Sequence, residues 1–220
     1  VSASKPQGFK GALSFTKDLL AIIISVISFI ISTVNVYVTN LKAPDLSLTV
    51  APFVRQVVDN QSRNEAFFIP LTVTNRGAKP GSLVSFELSV NYLPTGEQQG
   101  YYGQYFAQEN NSELLGSFFA PINLNGYSAI SRTVCFYPQG RREGNFFSRT
   151  GSYEFTVTGM AANVKGDSQN RILKVFRIEL TQEMYAQMQA QPDGEYVFPM
   201  RAEPAQAGTL FDFLRGLWNR

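Results

Sequence analysis

The hydrophobic–polar pattern of this chain starts with one uninterrupted apolar run. From Leu19 to Val38 it reads LLAIIISVISFIISTVNVYV, with no charged residue and with Ile and Val dominant. Twenty residues of α-helix span about 30 Å, close to the thickness of a bilayer's hydrocarbon core. A buried strand would end after about four to eight residues, and a soluble helix of this length would keep a polar face. The pattern predicts a transmembrane helix over residues 19–40, preceded by a segment 1–18 and followed by a much larger polar region. The run is longer than the apolar part of a signal peptide, and no small-x-small cleavage site follows it closely.

Beyond Pro44 and Asp45 the period changes to two. Leu46, Leu48 and Val50 alternate with Ser47 and Thr49, and after a polar interruption from Asp59 to Glu65, Ile69, Leu71 and Val73 share a face. The turn NRGAKPG, Asn75 to Gly81, leads into the cleanest alternation in the chain, Phe86, Leu88, Val90 and Tyr92 against Ser85, Glu87, Ser89 and Asn91. That is the signature of a sheet with one buried and one wet face. Pro94 to Asn111 breaks the pattern, Leu114 to Ala120 predicts a short strand, and Tyr127 to Tyr137 a longer one. Pro138 to Gly151 reads as a long polar loop. Tyr153, Phe155 and Val157 then alternate with Glu154, Thr156 and Thr158. In the last strand, Ile172 to Leu180, the apolar register changes from Leu173 and Val175 to Phe176, Ile178 and Leu180, which predicts a bulge or burial on both faces.

Seven predicted strands joined by turns and no credible helix imply an all-β sandwich over residues 45–180, with an antiparallel barrel as the alternative. The stretch LTVTNRGAKPGSLVSFELSV resembles the second and third strands of immunoglobulin-like domains of bacterial and archaeal surface proteins, including the CARDB-type adhesion modules. NLNGYSAISRTVCF and GSYEFTVTG are similar to the fifth and sixth strands of that family. The resemblance implies an immunoglobulin-like sandwich and no catalytic residue. The loops 94–113 and 138–150 depart from the family's compact pattern.

After Leu180 the alternation stops. Residues 181–209 predict a short helix, with Met184 and Met188 at helical spacing, and then an extended linker. Residues 210–220 form a short amphipathic aromatic segment in which Phe211, Leu214 and Trp218 share a face suited to a partner, a membrane surface or the domain itself.

Composition narrows the function. The chain has no His and one Cys, so an intrachain disulfide is impossible and the usual Ser–His–acid, Cys–His and zinc arrangements are missing. Cys135 lies between Val134 and Phe136 and reads as a small buried residue. A net charge of +2 offers no basic stripe for nucleic acid, and no phosphate-cradling glycine motif occurs. The reading is non-catalytic, with no cofactor and no metal. NQS at Asn60 and NNS at Asn110 are permitted glycosylation triplets. Arg141, Arg142 and Arg149 read as a solvated face.

Candidate contact residues fall in three places. Ala21, Ser25, Ser28, Ser32 and Asn35 recur on one side of the helix, where small residues allow another helix to approach. Tyr101, Tyr102, Tyr105 and Phe106 stand in a Gln- and Asn-rich loop and offer rigid contact area. Phe211, Leu214 and Trp218 are the third set. Lys5, Lys10 and Lys17 before the helix outnumber Lys42 and Arg55 after it, which predicts a cytoplasmic N-terminus and a periplasmic or extracellular domain. The expected function is an accessory or structural subunit, whose partners are the lipid bilayer and other integral membrane proteins. A freestanding adhesin or ligand-binding receptor is the alternative, and a filament or pilus subunit a weaker one.

Overall fold

A computed structural model describes residues 8–59, 64–107, 116–140, 145–162, 170–191 and 194–200. Helix α1 spans Gly8–Val36 and runs on into a single π-helical turn, Tyr37–Leu41, closed by Lys42 N–H donating to the Tyr37 carbonyl at 2.9 Å. Its apolar part, Leu19–Leu41, is 23 residues long with a mean hydropathy of 2.5, and none of it is buried by the rest of the chain. It is long and apolar enough to cross a membrane. The hydroxyls of Ser25, Thr33 and Thr39 each donate 2.8 Å hydrogen bonds to the carbonyls four residues earlier, so they need no outside partner.

The domain that follows is built of antiparallel strands. In chain order these are β1 (Leu46–Val50), β2 (Phe53–Asp59), β3 (Asn64–Asn75), β4 (Gly81–Tyr92), β5 (Glu97–Phe106), β6 (Ile122–Leu124), β7 (Ala129–Pro138), β8 (Gly151–Ala161), β9 (Asn170–Leu180) and β10 (Glu195–Pro199), with helix α2 (Gln182–Ala190) before the last. They form one continuous sheet in the order β10-β2-β3-β7-β5-β4-β8-β9, with β1 also on β3 and β6 also on β4. The sheet curls until β9 comes near β1.

Two features make the curl possible. First, β1 and β2 lie along the same edge of β3, Leu46 opposite Asn75 and Asp59 opposite Asn64, separated by Ala51 and Pro52 where proline cannot donate to the ladder. Second, β5 changes partners along its length. Glu97–Tyr102 pair with β4, whereas Tyr101–Phe106 pair with β7, with a bulge between Gly103 and Tyr105. A Cβ on Gly103 would lie 2.9 Å from Val134 Cγ1 and 3.3 Å from Phe86 Cβ, so only glycine lets the backbone pass so close at the crossing.

The residues at 94–111 therefore do not all form a loop. Glu97–Phe106 are strand, and Tyr101 is wholly buried. Around it the aromatic residues make an edge-to-face core, with Phe67 5.1 Å from Tyr101 and 5.3 Å from Phe155. The alternations read in β3, β4 and β8 are the buried faces of those strands. In β9 the register with β8 is unbroken from Asn170 to Leu180, so there is no bulge. Ile172, Phe176 and Ile178 face the core, while Leu173 and Val175 face out at 60% and 38% exposure, so burial on both faces fails too.

Two further corrections concern length and loops. The sheet extends past Leu180, because β10, within the expected linker, pairs with β2 and carries the buried Phe198. Between β7 and β8, Phe146 and Phe147 turn inward and are fully buried, so that part of the connection is a plug and not a polar loop. The expected strand at 114–120 is reduced to one bridge, Phe118 to Tyr105, its first two residues lying outside the described residues. Helix α2 follows the expected spacing: Thr181 caps it by accepting from Met184 N–H, and Met188 reaches the core.

Candidate functional site

Among the described residues, a densely bonded junction forms where the helix meets the domain. Three chain segments stack there: residues 42–45, the β3–β4 turn and the β6–β7 turn. Lys42 carbonyl accepts from Ala78 and Lys79 N–H at 3.0 Å, and Asp45 carbonyl accepts from Arg76 N–H at 2.8 Å. Gly77 carbonyl accepts from Tyr127 N–H at 3.0 Å. The layers touch at glycines. A Cβ on Gly77 would fall 1.9 Å from the Ala43 carbonyl oxygen, and one on Gly126 would fall 2.0 Å from that of Ala78.

Asn75, at the end of β3, locks the stack from inside. Its Oδ1 accepts from Asp45 N–H at 3.1 Å and Gly77 N–H at 2.9 Å, while Nδ2 donates to the carbonyls of Lys79 at 2.9 Å and Asn125 at 3.0 Å. All four bonds of one buried amide are used on three different segments. Tyr127 holds a left-handed conformation at φ 54°, unusual for a bulky residue, and its hydroxyl donates to the carbonyl of Val38 inside the apolar helix. On the outer side lie Lys42, Arg76 and Lys79, with Asp45 carboxylate 3.5 Å from Lys42 Nζ. Arg76 and Lys79 are exposed. The pattern NRGAKPG signalled a turn, but nothing in the sequence placed that turn against residues 42–45.

The positions expected to make contacts are distributed differently. Ala21, Ser25, Ser28, Ser32 and Asn35 are exposed along α1. Of the aromatic set, Tyr101 is in the core, Phe106 packs against it, and Tyr102 is exposed. Tyr105 stacks at 4.9 Å on Phe118, which is 76% exposed, and at 5.8 Å edge-on to Tyr137. Tyr102 lies opposite Tyr137 in the β5–β7 ladder, so Tyr102, Tyr105, Tyr137 and Phe118 form an outward aromatic patch that includes two residues not singled out by the sequence. Phe211, Leu214 and Trp218 lie outside the described residues, as do Asn60, Asn110, Arg141 and Arg142. Arg149 is not simply solvated: it bonds Glu97 at 2.5 Å and sits 4.5 Å over the Tyr92 ring.

One buried ionisable cluster was not legible. Glu65 accepts on Oε1 from Tyr101 hydroxyl at 2.5 Å and Phe146 N–H at 2.8 Å, and on Oε2 from Gln56 Nε2 and Phe147 N–H, both at 3.2 Å. Desolvation pushes its carboxyl above the ordinary value, and the four hydrogen bonds oppose that rise. The cluster fastens the Phe146–Phe147 plug to β3, with Glu65 only 4% exposed. Cys135 is fully buried, and burial pushes its thiol up to about 12, the reverse of what a nucleophile or thiolate ligand needs. Among the described residues no His, Cys, Asp or Glu cluster has metal-binding geometry.

No family model matches the chain, and no curated protein matches it. Two solved structures are similar in part. One is described as the ApaA protein of Bordetella pertussis, 16% identical, covering 74% of this chain and 98% of its own, with a TM-score of 0.35. The other is a protein from Archaeoglobus fulgidus, 9% identical, covering 63% and 98%, with a TM-score of 0.37. What the chain itself establishes is an apolar N-terminal helix, long enough to cross a membrane, bonded directly to a curled antiparallel β domain.

Proposed function

We propose that this chain is a non-catalytic, membrane-anchored accessory subunit. Its helix docks beside other membrane helices, and its β domain braces the exported face of the same assembly. The observation that carries the anchor part of this reading is the junction. A signal sequence meets the same length and composition criteria as an anchor, but a segment destined for removal has no need to be bonded into the mature domain. Here Tyr127 bonds to Val38, and Lys42 to Asp45 are integral to the stacked turns. The expected orientation keeps the N-terminus cytoplasmic and the domain periplasmic or extracellular.

The domain is proposed to be immunoglobulin-like, with β2, β3 and β7 as one wall, β4, β8 and β9 as the other, and β5 as the strand that joins them. The outward aromatics Tyr102, Tyr105, Tyr137 and Phe118 are suited to a second contact outside the membrane. Two modest attachments on one chain reinforce each other through effective concentration.

Purification of the native protein in a mild detergent, followed by partner identification, tests the reading. Stoichiometric membrane partners are expected, and their loss is expected when Ser25, Ser28 and Ser32 are replaced by Leu, which preserves hydrophobicity but blocks close helix approach. A protein that comes out alone in several mild detergents would instead be a surface receptor or adhesin. Intact-mass measurement of the mature chain, with residues 19–41 removed, would end the anchor reading itself.

A further inference from the structure

The junction carries three cations, Lys42, Arg76 and Lys79, against one anion, Asp45, at the level where the apolar helix ends. We infer that this collar is a binding surface for anionic phospholipid headgroups of the leaflet from which the helix emerges, which clamps the domain upright on the bilayer. The inference rests on the membrane-anchor reading and adds to it a lipid preference.

Height is set by backbone geometry. Leu41 is the last residue of the apolar span, and Val38 lies three residues inside it, within the same π-helical turn. Because Tyr127 hydroxyl donates to Val38, the Tyr127 side chain reaches from the β6–β7 turn down to that depth. Tyr37 and Tyr127, 55% and 54% exposed, then stand at the same interfacial level, where amphipathic rings are favoured. The hydroxyl bond to Val38 holds the exposed ring of Tyr127 there. Arg76 and Lys79 belong to the turn stacked directly on residues 42–45, so their charged groups lie within reach of the headgroup layer and Lys42 lies in it. Lys42 is partly engaged, since its Nζ also donates to the Arg76 carbonyl at 3.1 Å. Arg76 and Lys79 remain directed at solvent. Cations at this height are attracted by anionic headgroups, wherever the facing leaflet carries them, within a Debye length of its surface.

The test uses the unmodified full chain reconstituted into vesicles of phosphatidylcholine alone or mixed with phosphatidylglycerol. Each lysine's reaction with an amine-acylating reagent is followed by mass spectrometry. Lys79 labelling should slow about fivefold in the anionic vesicles, roughly the influence of one cation held near such a surface. Lys174, exposed on β9, serves as the reference. High salt should erase the difference, and Arg76→Gln should reduce it. Equal labelling of Lys79 in both lipid compositions, in chain that resists alkaline carbonate extraction, overturns the lipid preference and leaves the anchor intact. Release of the chain by carbonate overturns both.

Discussion

Replacing Glu65 by Gln tests whether the buried cluster is built on acceptors. The side chain keeps its shape, but one oxygen becomes an NH2 group. In either orientation that group meets a backbone donor, Phe146 N–H on one side or Phe147 N–H on the other. The Tyr101 hydroxyl and the Gln56 amide can rotate to accommodate it, whereas the two backbone donors cannot. One buried N–H is left without an acceptor, a loss of about 1–3 kcal/mol. For a chain of this size that corresponds to a fall of roughly 2–12 °C in Tm. Thermal unfolding of the detergent-solubilised chain, followed by circular dichroism, reads it. The pH dependence is a second readout. Glu65 has a folded-state pKa raised by desolvation, so its contribution to stability is complete below the unfolded carboxyl pKa and is lost as pH rises through the raised folded value. Glu65→Gln should remove that decline. A variant that melts within a degree of the parent, with the same pH profile, would show that the carboxyl is not held by those donors.

Three other outcomes follow from the geometry. Gly77→Ala drives a Cβ to 1.9 Å from the Ala43 carbonyl oxygen, so limited proteolysis should open the chain at residues 42–45, with Tm reduced. Asn75→Asp keeps both acceptor bonds but loses the donors to Lys79 and Asn125, and should cost about 2–3 kcal/mol in denaturant unfolding. Cys135, buried with its thiol near 12, should stay unreacted with an aromatic disulfide reagent at neutral pH and react at once on unfolding.

How much was legible depended on how far apart the cooperating residues lie. From Phe86 to Tyr92 in β4 and from Tyr153 to Val157 in β8 one face lies in the core, so alternation alone revealed them. β5 was hidden because its partners change midway and its glycines and glutamines dilute the pattern. Tyr101 looked like contact area since its hydroxyl partner, Glu65, is 36 residues earlier and was assigned to a polar interruption. Phe146 and Phe147 stood among Arg and Gly, and what turns them inward is remote in sequence: the Glu65 carboxylate that accepts from their N–H groups and the rings of Phe67, Tyr153 and Phe198. Leu173 and Val175 suggested a distortion of β9, although its pairing with β8 is unbroken and the strand simply presents them outward. The helix was legible because its apolar length is a local property. Its attachment to the turns at 75–80 and 125–128 was not.

The pairing of β10 with β2 bears on how the chain is made. Glu195 lies opposite Val57, so the outer edge of β2 cannot be closed until residue 195 has left the ribosome. Until then the hairpin of β2 and β3 stands with a bare edge, and Phe147 lacks Phe198, its ring neighbour at 4.9 Å. Contacts this remote in sequence are slow to form because a long loop must close first. Any product truncated at Leu180 would keep that open edge permanently, a ready template for pairing with another chain.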